Sequence, residues 1–208
     1  MLTCLLMLCP FGSTACGQSI HSPEGAAREG LLNSERIRQR YGSYGIEVLQ
    51  QDDRIRVSNL YSGEGEAKTT RTVAVVIYSP SIPAPIETEH REIAAGGSIG
   101  EVFTSHGWRV EKQTLFIGEL PASADFAGLY NSMGGIEPQA LAIHIYALSV
   151  SRGGENVSYA TLAEVHHPDY LGRGELESIY ASAPGARTAE RDTVESSLEL
   201  ATGIMAAW

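Results

Sequence analysis

Two long apolar segments joined by a short glycine-bearing turn most strongly limit what this 208-residue chain can fold into. The segments are QALAIHIYALSV (139–150) and VSYATLAEVHH (157–167), and the link between them is SRGGEN. A link this short joins antiparallel strands, because parallel neighbours need a crossover of a dozen or more residues. The pair therefore predicts an antiparallel sheet and argues against a βαβ arrangement.

Four other segments have the character of strands, being rich in β-branched and aromatic residues or alternating between polar and apolar ones. Three of them, 45–50, 53–62 and 69–79, are separated by short links that contain Asp or Gly. These three predict an antiparallel meander. The fourth, 108–120, alternates along its length.

Helix patterns lie between and after these strands. Asn33 or Ser34 is expected to cap a short helix, and IETEHREIAAGG (86–97) has apolar residues on one helix face. Further helices are predicted after Pro168 and from Thr188 to Trp208, whereas GGSIGEVFTSHGW predicts a glycine-rich bend. Runs of strands with helices between them indicate an α+β fold, an antiparallel β-sheet with flanking helices.

Composition excludes several classes of partner. The chain is 43% hydrophobic and 19% charged, which is typical of a globular protein. Its formal net charge of -10 argues against nonspecific binding of nucleic acid and against electrostatic binding to a membrane surface. A small organic anion remains a possible partner, because net charge does not determine the charge of one cleft.

All three cysteines, Cys4, Cys9 and Cys16, lie in the first 16 residues. The rest of the chain therefore has no disulfide, no cysteine-based zinc site and no cysteine nucleophile. An apolar run over residues 2–11, followed by small residues, is typical of a signal peptide. A cysteine directly after small residues resembles a bacterial lipoprotein leader, which would make Cys16 the lipidated first residue.

These features predict an exported protein, periplasmic or anchored to a membrane only by lipid. The alternative is a misplaced start codon, and then a cytoplasmic protein. The predicted organisation is a leader (1–16), a tether (17–33), an α+β ligand-pocket domain (34–182) and a C-terminal helix (188–208). That helix could pack on this domain or on a partner.

Two charged side chains interrupt apolar rows of the predicted strands. Arg71 alternates with Val73 and Val75, so it lies either at the sheet's rim or in a cavity that supplies an anionic partner. Glu164 alternates with Leu162, and a buried carboxyl group that keeps its proton can act as a general acid. The two could equally form a structural ion pair.

Histidines and glycines give further candidates. His166 is expected on the face of Glu164 and His167 on the opposite face, because neighbouring strand residues alternate. His144, on the paired strand, is expected to be a hydrogen-bonded histidine of the core or of a groove. A metal needs three or four converging ligands, so neither a metal nor another cofactor is predicted. Glycines that allow a tight bend, or a close approach of the backbone to a ligand, are Gly96, Gly97 and Gly100.

The order of these segments resembles the chorismate lyase-like fold, shared by chorismate lyases and the ligand domains of some bacterial transcription regulators. IRVSNLYSGEGEAKTTRTVAVV resembles that family's early hairpin, whose second strand bears an arginine, here Arg71. AGGSIGEVF resembles its glycine-bearing segment, with Gly100 matching, and LAEVHHP resembles its late E-x-F-L-P strand end, with Glu164 matching. His166 begins a His-His pair where the family has Phe-Leu. The resemblance covers residues 53–170.

The resemblance implies a buried pocket in which the arginine binds an aromatic carboxylate and the glutamate acts at a departing pyruvyl ether. An exported protein would be separated from cytoplasmic chorismate. The leading expectation is therefore a domain that binds a small aromatic or other organic anion through Arg71, with Glu164, His144 and His166 nearby. A chorismate lyase-type enzyme with Glu164 as general acid, and a structural envelope protein without a ligand, remain as alternatives.

Overall fold

The computed structural model describes residues 31–180 and 191–207. The strands are β1 (Gly45–Gln51), β2 (Ile55–Ser62), β3 (Thr69–Tyr78), β4 (Arg109–Leu120), β5 (Leu141–Arg152) and β6 (Glu155–His166). The α-helices are α1 (Asn33–Tyr41), α2 (Glu87–Ala94), α3 (Ile99–Ser105), α4 (Ala127–Ser132), α5 (Arg173–Ile179) and α6 (Arg191–Ala206). Short 3₁₀-helices are Gly65–Ala67, Ala84–Ile86 and Ala124–Phe126.

The six strands form one antiparallel sheet in the order β1-β2-β3-β6-β5-β4. The meander β1–β2–β3 and the hairpin β5–β6 are as the sequence predicts, and β6 pairs with β3 to join them. The α+β class, with an antiparallel sheet and flanking helices, is therefore confirmed. Strands β1 and β4 form the two edges.

The turn between β5 and β6 depends on two glycines. Gly153 and Gly154 have φ angles of 60° and 91°, and Arg152 pairs with Glu155 across them. A two-residue loop with positive φ at both positions matches the right-handed twist of the flanking strands. This turn fixes the starting register of the β5–β6 hairpin.

Alternation along the strands gives the sheet two covered faces. Helices α4 and α6 cover one face, and the core there is formed by Val57, Val73, Val75, Leu129, Met133, Ile143, Ile145, Ala163, Val165, Ala201 and Met205. The C-terminal helix therefore packs on this domain. None of the described helices is long and apolar enough to cross a membrane.

The opposite face is covered by α1, α2, α3 and α5 in two apolar clusters. One cluster, below α2 and α3, includes Val76, Tyr78, Ile93, Phe103, Trp108, Tyr146, Leu148 and Leu162. The other, below α1 and α5, includes Ile37, Leu60, Ala74, Ala142, Tyr170 and Leu176.

Two local predictions about the helices were wrong. Leu32 occupies the N-cap of α1, and Asn33 instead donates its side-chain amide to Thr72 Oγ1 at 3.2 Å. The predicted bend after α2 contains helix α3. Gly96 and Gly107, at φ angles of 108° and 78°, lie just beyond the ends of α2 and α3. Gly96 therefore ends α2 and Gly107 ends α3, and the segment between the two glycines is helical.

Candidate ligand-binding cavity

A cavity lies between the sheet and the helices on the face covered by α1, α2, α3 and α5. About 540 Å³ of space free of protein atoms lies there, a figure that includes space open to solvent. The sheet contributes Ile46, Arg56, Ser58, Leu60, Ala74, Val76, Val110, Lys112, Tyr146, Leu148, Leu162 and Glu164. Helices α1 and α3 and the adjoining loops contribute Leu32, Asn33, Ser34, Tyr44, Ser98, Ile99 and Gly100.

Arg56 is the most completely buried charged residue of this lining, at 1% exposed. Its Nε donates to Ser58 Oγ at 2.9 Å on the same strand. Its Nη1 donates to the backbone carbonyls of Ile93 and Gly97, each at 2.8 Å, around the α2–α3 loop. These neutral acceptors fix the guanidinium in place but do not neutralise its charge.

The charge of Arg56 has no acidic counterpart in the described part of the chain, where no carboxylate lies within ion-pair distance of it. Its buried Nη2 has no hydrogen-bond partner among residues 31–180 and 191–207. The Tyr78 hydroxyl interacts electrostatically with the guanidinium but lacks a well-formed hydrogen bond to any described residue. Because an unpaired buried cation is costly, this geometry is suited to an anion.

Glu164 lies on β6, in the middle of the cavity floor. Strands β2 and β4 both contribute to the lining, and each of them is two places away from β6 in the sheet. Glu164 is 4% exposed, and its Oε1 accepts a hydrogen bond from the Tyr146 hydroxyl at 3.0 Å. Burial, together with the nearby Glu164 charge, raises the pKa of Tyr146 well above its usual range. The phenol therefore keeps its proton and remains a donor to the carboxylate. Leu162, also in the lining, shares the face of Glu164 as predicted.

Lys112 is the third charged residue of the lining, on the edge strand β4. Its Nζ lies 4.7 Å from the centre of the Tyr146 ring on the neighbouring strand. The lysine ammonium therefore lies over β5, inward from the edge of the sheet. A cation over an aromatic face is stabilised electrostatically, but its charge is not neutralised.

Contacts between α1, α3 and the chain that follows α1 close the cavity on its outer side. Arg38 Nη2 lies 2.8 Å from Glu101 Oε1, and the Tyr44 hydroxyl donates to Ser98 Oγ at 3.3 Å. Burial raises the pKa of Tyr44 to about 12, so its hydroxyl is neutral where it borders the cavity. Exposed ion pairs contribute only about 0–1 kcal/mol, so the Arg38–Glu101 contact can be broken at low cost.

Two buried histidines lie beside Glu164 without bordering the cavity. His144 is directly opposite Glu164 in the sheet, and its Nε2 is hydrogen-bonded to Thr114 Oγ1 at 3.0 Å. His166 Nδ1 is hydrogen-bonded to Thr72 Oγ1 at 3.0 Å. Burial lowers the pKa of both, that of His166 to about 4, so both are neutral at neutral pH. The second ring nitrogen of each has no partner among the described residues.

Arg71 lies outside the cavity lining. Its Nε donates to Ser62 Oγ at 2.9 Å, and its guanidinium lies 3.8 Å from the centre of the Tyr41 ring. It forms no ion pair with Glu164 within the chain that the structure describes. The suggested structural pair is therefore wrong, and Arg56 is the arginine that lies in one cavity with Glu164.

The three glycines predicted for the site lie at different positions relative to the cavity. Gly100 borders the cavity, while Gly97 contributes the carbonyl that accepts from Arg56. A Cβ at either position would lie within 2.8 Å of a neighbouring side chain, so the backbone is closely approached at both. A Cβ at Gly96 would meet open space, and the positive φ explains glycine there. Cys16 lies outside the described residues.

Reasoning from the sequence missed Arg56 and Lys112, although a signal was present for each. Arg56 alternates with Ser58 and Leu60 inside a strand, so it shares a face with an apolar residue. Lys112 alternates with Val110 in the same way. Neither pattern distinguishes a cavity from a solvent-exposed surface, because the helices that enclose the space lie elsewhere in the sequence.

A metal centre has no support in the described ranges, where no three His, Cys, Asp or Glu side chains come together as ligands would. No protein-family model matches the chain, and no curated protein matches it either.

Proposed function

We propose that this protein binds a small organic carboxylate, with an aromatic acid as the best fit, in the cavity beside Arg56. The observation that carries the proposal is a buried guanidinium with no acidic partner in the described chain and an unpartnered Nη2. The planar guanidinium can donate two parallel hydrogen bonds to one carboxylate. Apolar lining residues such as Val76 and Leu162 suit the hydrocarbon body of such a ligand.

The test is calorimetric titration of the purified protein with benzoate, comparing wild type with Arg56→Met. The variant should bind at least about tenfold more weakly, because hydrogen bonds to a charged group contribute about 1.5–3 kcal/mol. Arg56→Lys keeps the charge but loses the planar fork, and it should bind with intermediate affinity. Arg71→Met is the matched control, because that arginine lies outside the cavity.

Circular dichroism must show that each variant is folded, since Arg56 also satisfies two backbone carbonyls. Equal benzoate affinity in wild type and folded Arg56→Met would contradict the proposal. Absence of binding to benzoate and to other small aromatic acids would favour a structural protein without a ligand.

A second candidate function is a lyase that releases pyruvate from chorismate or a related enol ether. The observation that favours it is the position of Glu164, a buried carboxyl group in the same cavity as Arg56 and hydrogen-bonded to Tyr146. In this reading Arg56 holds the ring carboxylate and Glu164 is the general acid at the departing ether oxygen.

The lyase is tested by mixing the protein with chorismate and following 4-hydroxybenzoate formation. Glu164→Gln should abolish turnover and retain binding if the lyase is the function. No turnover by the wild type would remove this candidate and leave the binding protein.

Export through the leader and lipidation at Cys16 are part of the proposal, and they concern residues outside the described ranges. Fractionation of cells that express the full chain tests both, with Cys16→Ser as the comparison. Recovery in the envelope, with release of the variant into the soluble fraction, supports a lipid-anchored binding protein. Recovery in the cytoplasm would place the protein where chorismate is made and would favour the lyase.

A further inference from the structure

Lys112 is a second cation of the cavity lining whose charge is not neutralised within the described residues. It lines the cavity, and no ion pair of the described chain includes it. The one carboxylate of the lining, that of Glu164, interacts electrostatically with Arg36 and accepts a hydrogen bond from Tyr146. Arg56 and Lys112 therefore remain as the two cations available to a ligand.

The two cations lie toward opposite ends of one cavity. Arg56 is on β2 and Lys112 on β4, four strand spacings apart in the order β2-β3-β6-β5-β4. At about 4.8 Å a step, their backbones are about 19 Å apart across the sheet. Lys112 extends inward over the Tyr146 ring, which shortens the distance between the two charged groups. The space between them is lined mainly by apolar side chains, among them Leu148 and Leu162.

From this arrangement we infer that Lys112 binds a second acidic group of the ligand, and that the ligand class is an elongated diacid. One carboxylate binds Arg56, the apolar middle lies over the sheet, and the other acidic group binds the Lys112 ammonium. This inference rests on the proposed function and refines it, because it names Lys112 as the residue that separates diacids from monoacids. A monoacid on Arg56 would leave Lys112 half-buried without an anion.

The test uses three probes, benzoate, terephthalate and 4-(2-carboxyethyl)benzoate, titrated calorimetrically into three proteins. The proteins are wild type, Lys112→Met and the control Lys68→Met, whose lysine pairs with Glu47 on the surface away from the cavity. At least one diacid should bind wild type and Lys68→Met about tenfold or more tightly than benzoate does. In Lys112→Met this advantage should disappear, because the diacid should lose more affinity than benzoate does.

The inference is overturned if neither diacid binds wild type more tightly than benzoate does, or if the advantage persists in Lys112→Met. Benzoate binding that depends on Arg56 would still support the proposed function in either case, so the two failures are distinguishable. Absence of binding by all three probes would overturn both. Lys112→Arg keeps a cation at this position and should retain the preference for the diacid.

Discussion

His166 makes the free energy of unfolding depend on pH. Its ring is buried, and burial lowers its pKa from 6.5 to about 4. Between these two pH values the unfolded chain binds a proton that the folded protein does not bind. The contribution of His166 to stability is therefore fully present above about pH 6.5 and is lost as the pH falls toward about 4. Linkage gives a loss of about 2 kcal/mol between pH 7 and pH 5 from this residue alone.

Urea unfolding of wild type and His166→Gln at pH 7 and pH 5 measures this loss. Glutamine keeps a hydrogen-bonding group toward Thr72 but does not titrate in this range. The charged groups that act on His166 are Glu164, which raises its pKa, and Arg36 and Lys112, which lower it. These groups are present in both proteins, so the difference between the two pH dependences isolates His166.

The free energy of unfolding of wild type should fall about 2 kcal/mol further than that of His166→Gln over this interval. His144, which is also buried with a lowered pKa, contributes a loss common to both proteins. Equal losses in the two proteins would refute the assignment of His166 as a neutral, buried imidazole. A larger loss in the variant would refute it as well.

Three further predictions concern positions around the cavity and a metal. Gly97→Ala should lower the thermal midpoint, because its Cβ would lie 2.7 Å from Val102 Cγ2 and 2.9 Å from a backbone oxygen; an unchanged midpoint would contradict this. Arg71→Met should cost no more than about 1 kcal/mol in urea unfolding, from the lost contact with Tyr41, and should leave benzoate affinity unchanged. EDTA should not change the thermal midpoint, and a clear fall would show that a metal contributes.

Local sequence patterns were enough to find the strands. Alternation and turn residues identify all six, and the glycine pair at 153–154 identifies the hairpin whose register places His144 beside Glu164. The pairing of β6 with β3 could not be predicted in this way, because it joins segments that are distant in the sequence. Helix α3 was missed because glycines on both sides of it indicated a bend.

Arg71 shows why strand alternation alone could not identify the arginine of the cavity. The β2–β3 register passes from Thr70 opposite Tyr61 to Thr72 opposite Leu60, so Arg71 is the extra residue of a β-bulge. A bulge interrupts the two-residue period on which the prediction for Arg71 depended.

Arg56 is held in the cavity by contacts with residues that are distant in the sequence. The acceptors that hold its guanidinium are the carbonyls of Ile93 and Gly97, about forty residues away in the chain. By contrast, the placement of Glu164 and His166 on one face required only the period of a strand, and it is correct.

A crystal structure of the protein soaked with benzoate would show directly where a carboxylate binds. We expect a carboxylate oxygen about 2.7–2.9 Å from Arg56 Nη2, with the ring among the apolar lining residues. Benzoate bound at Arg71 and not at Arg56, or an empty cavity at saturating benzoate, would contradict it.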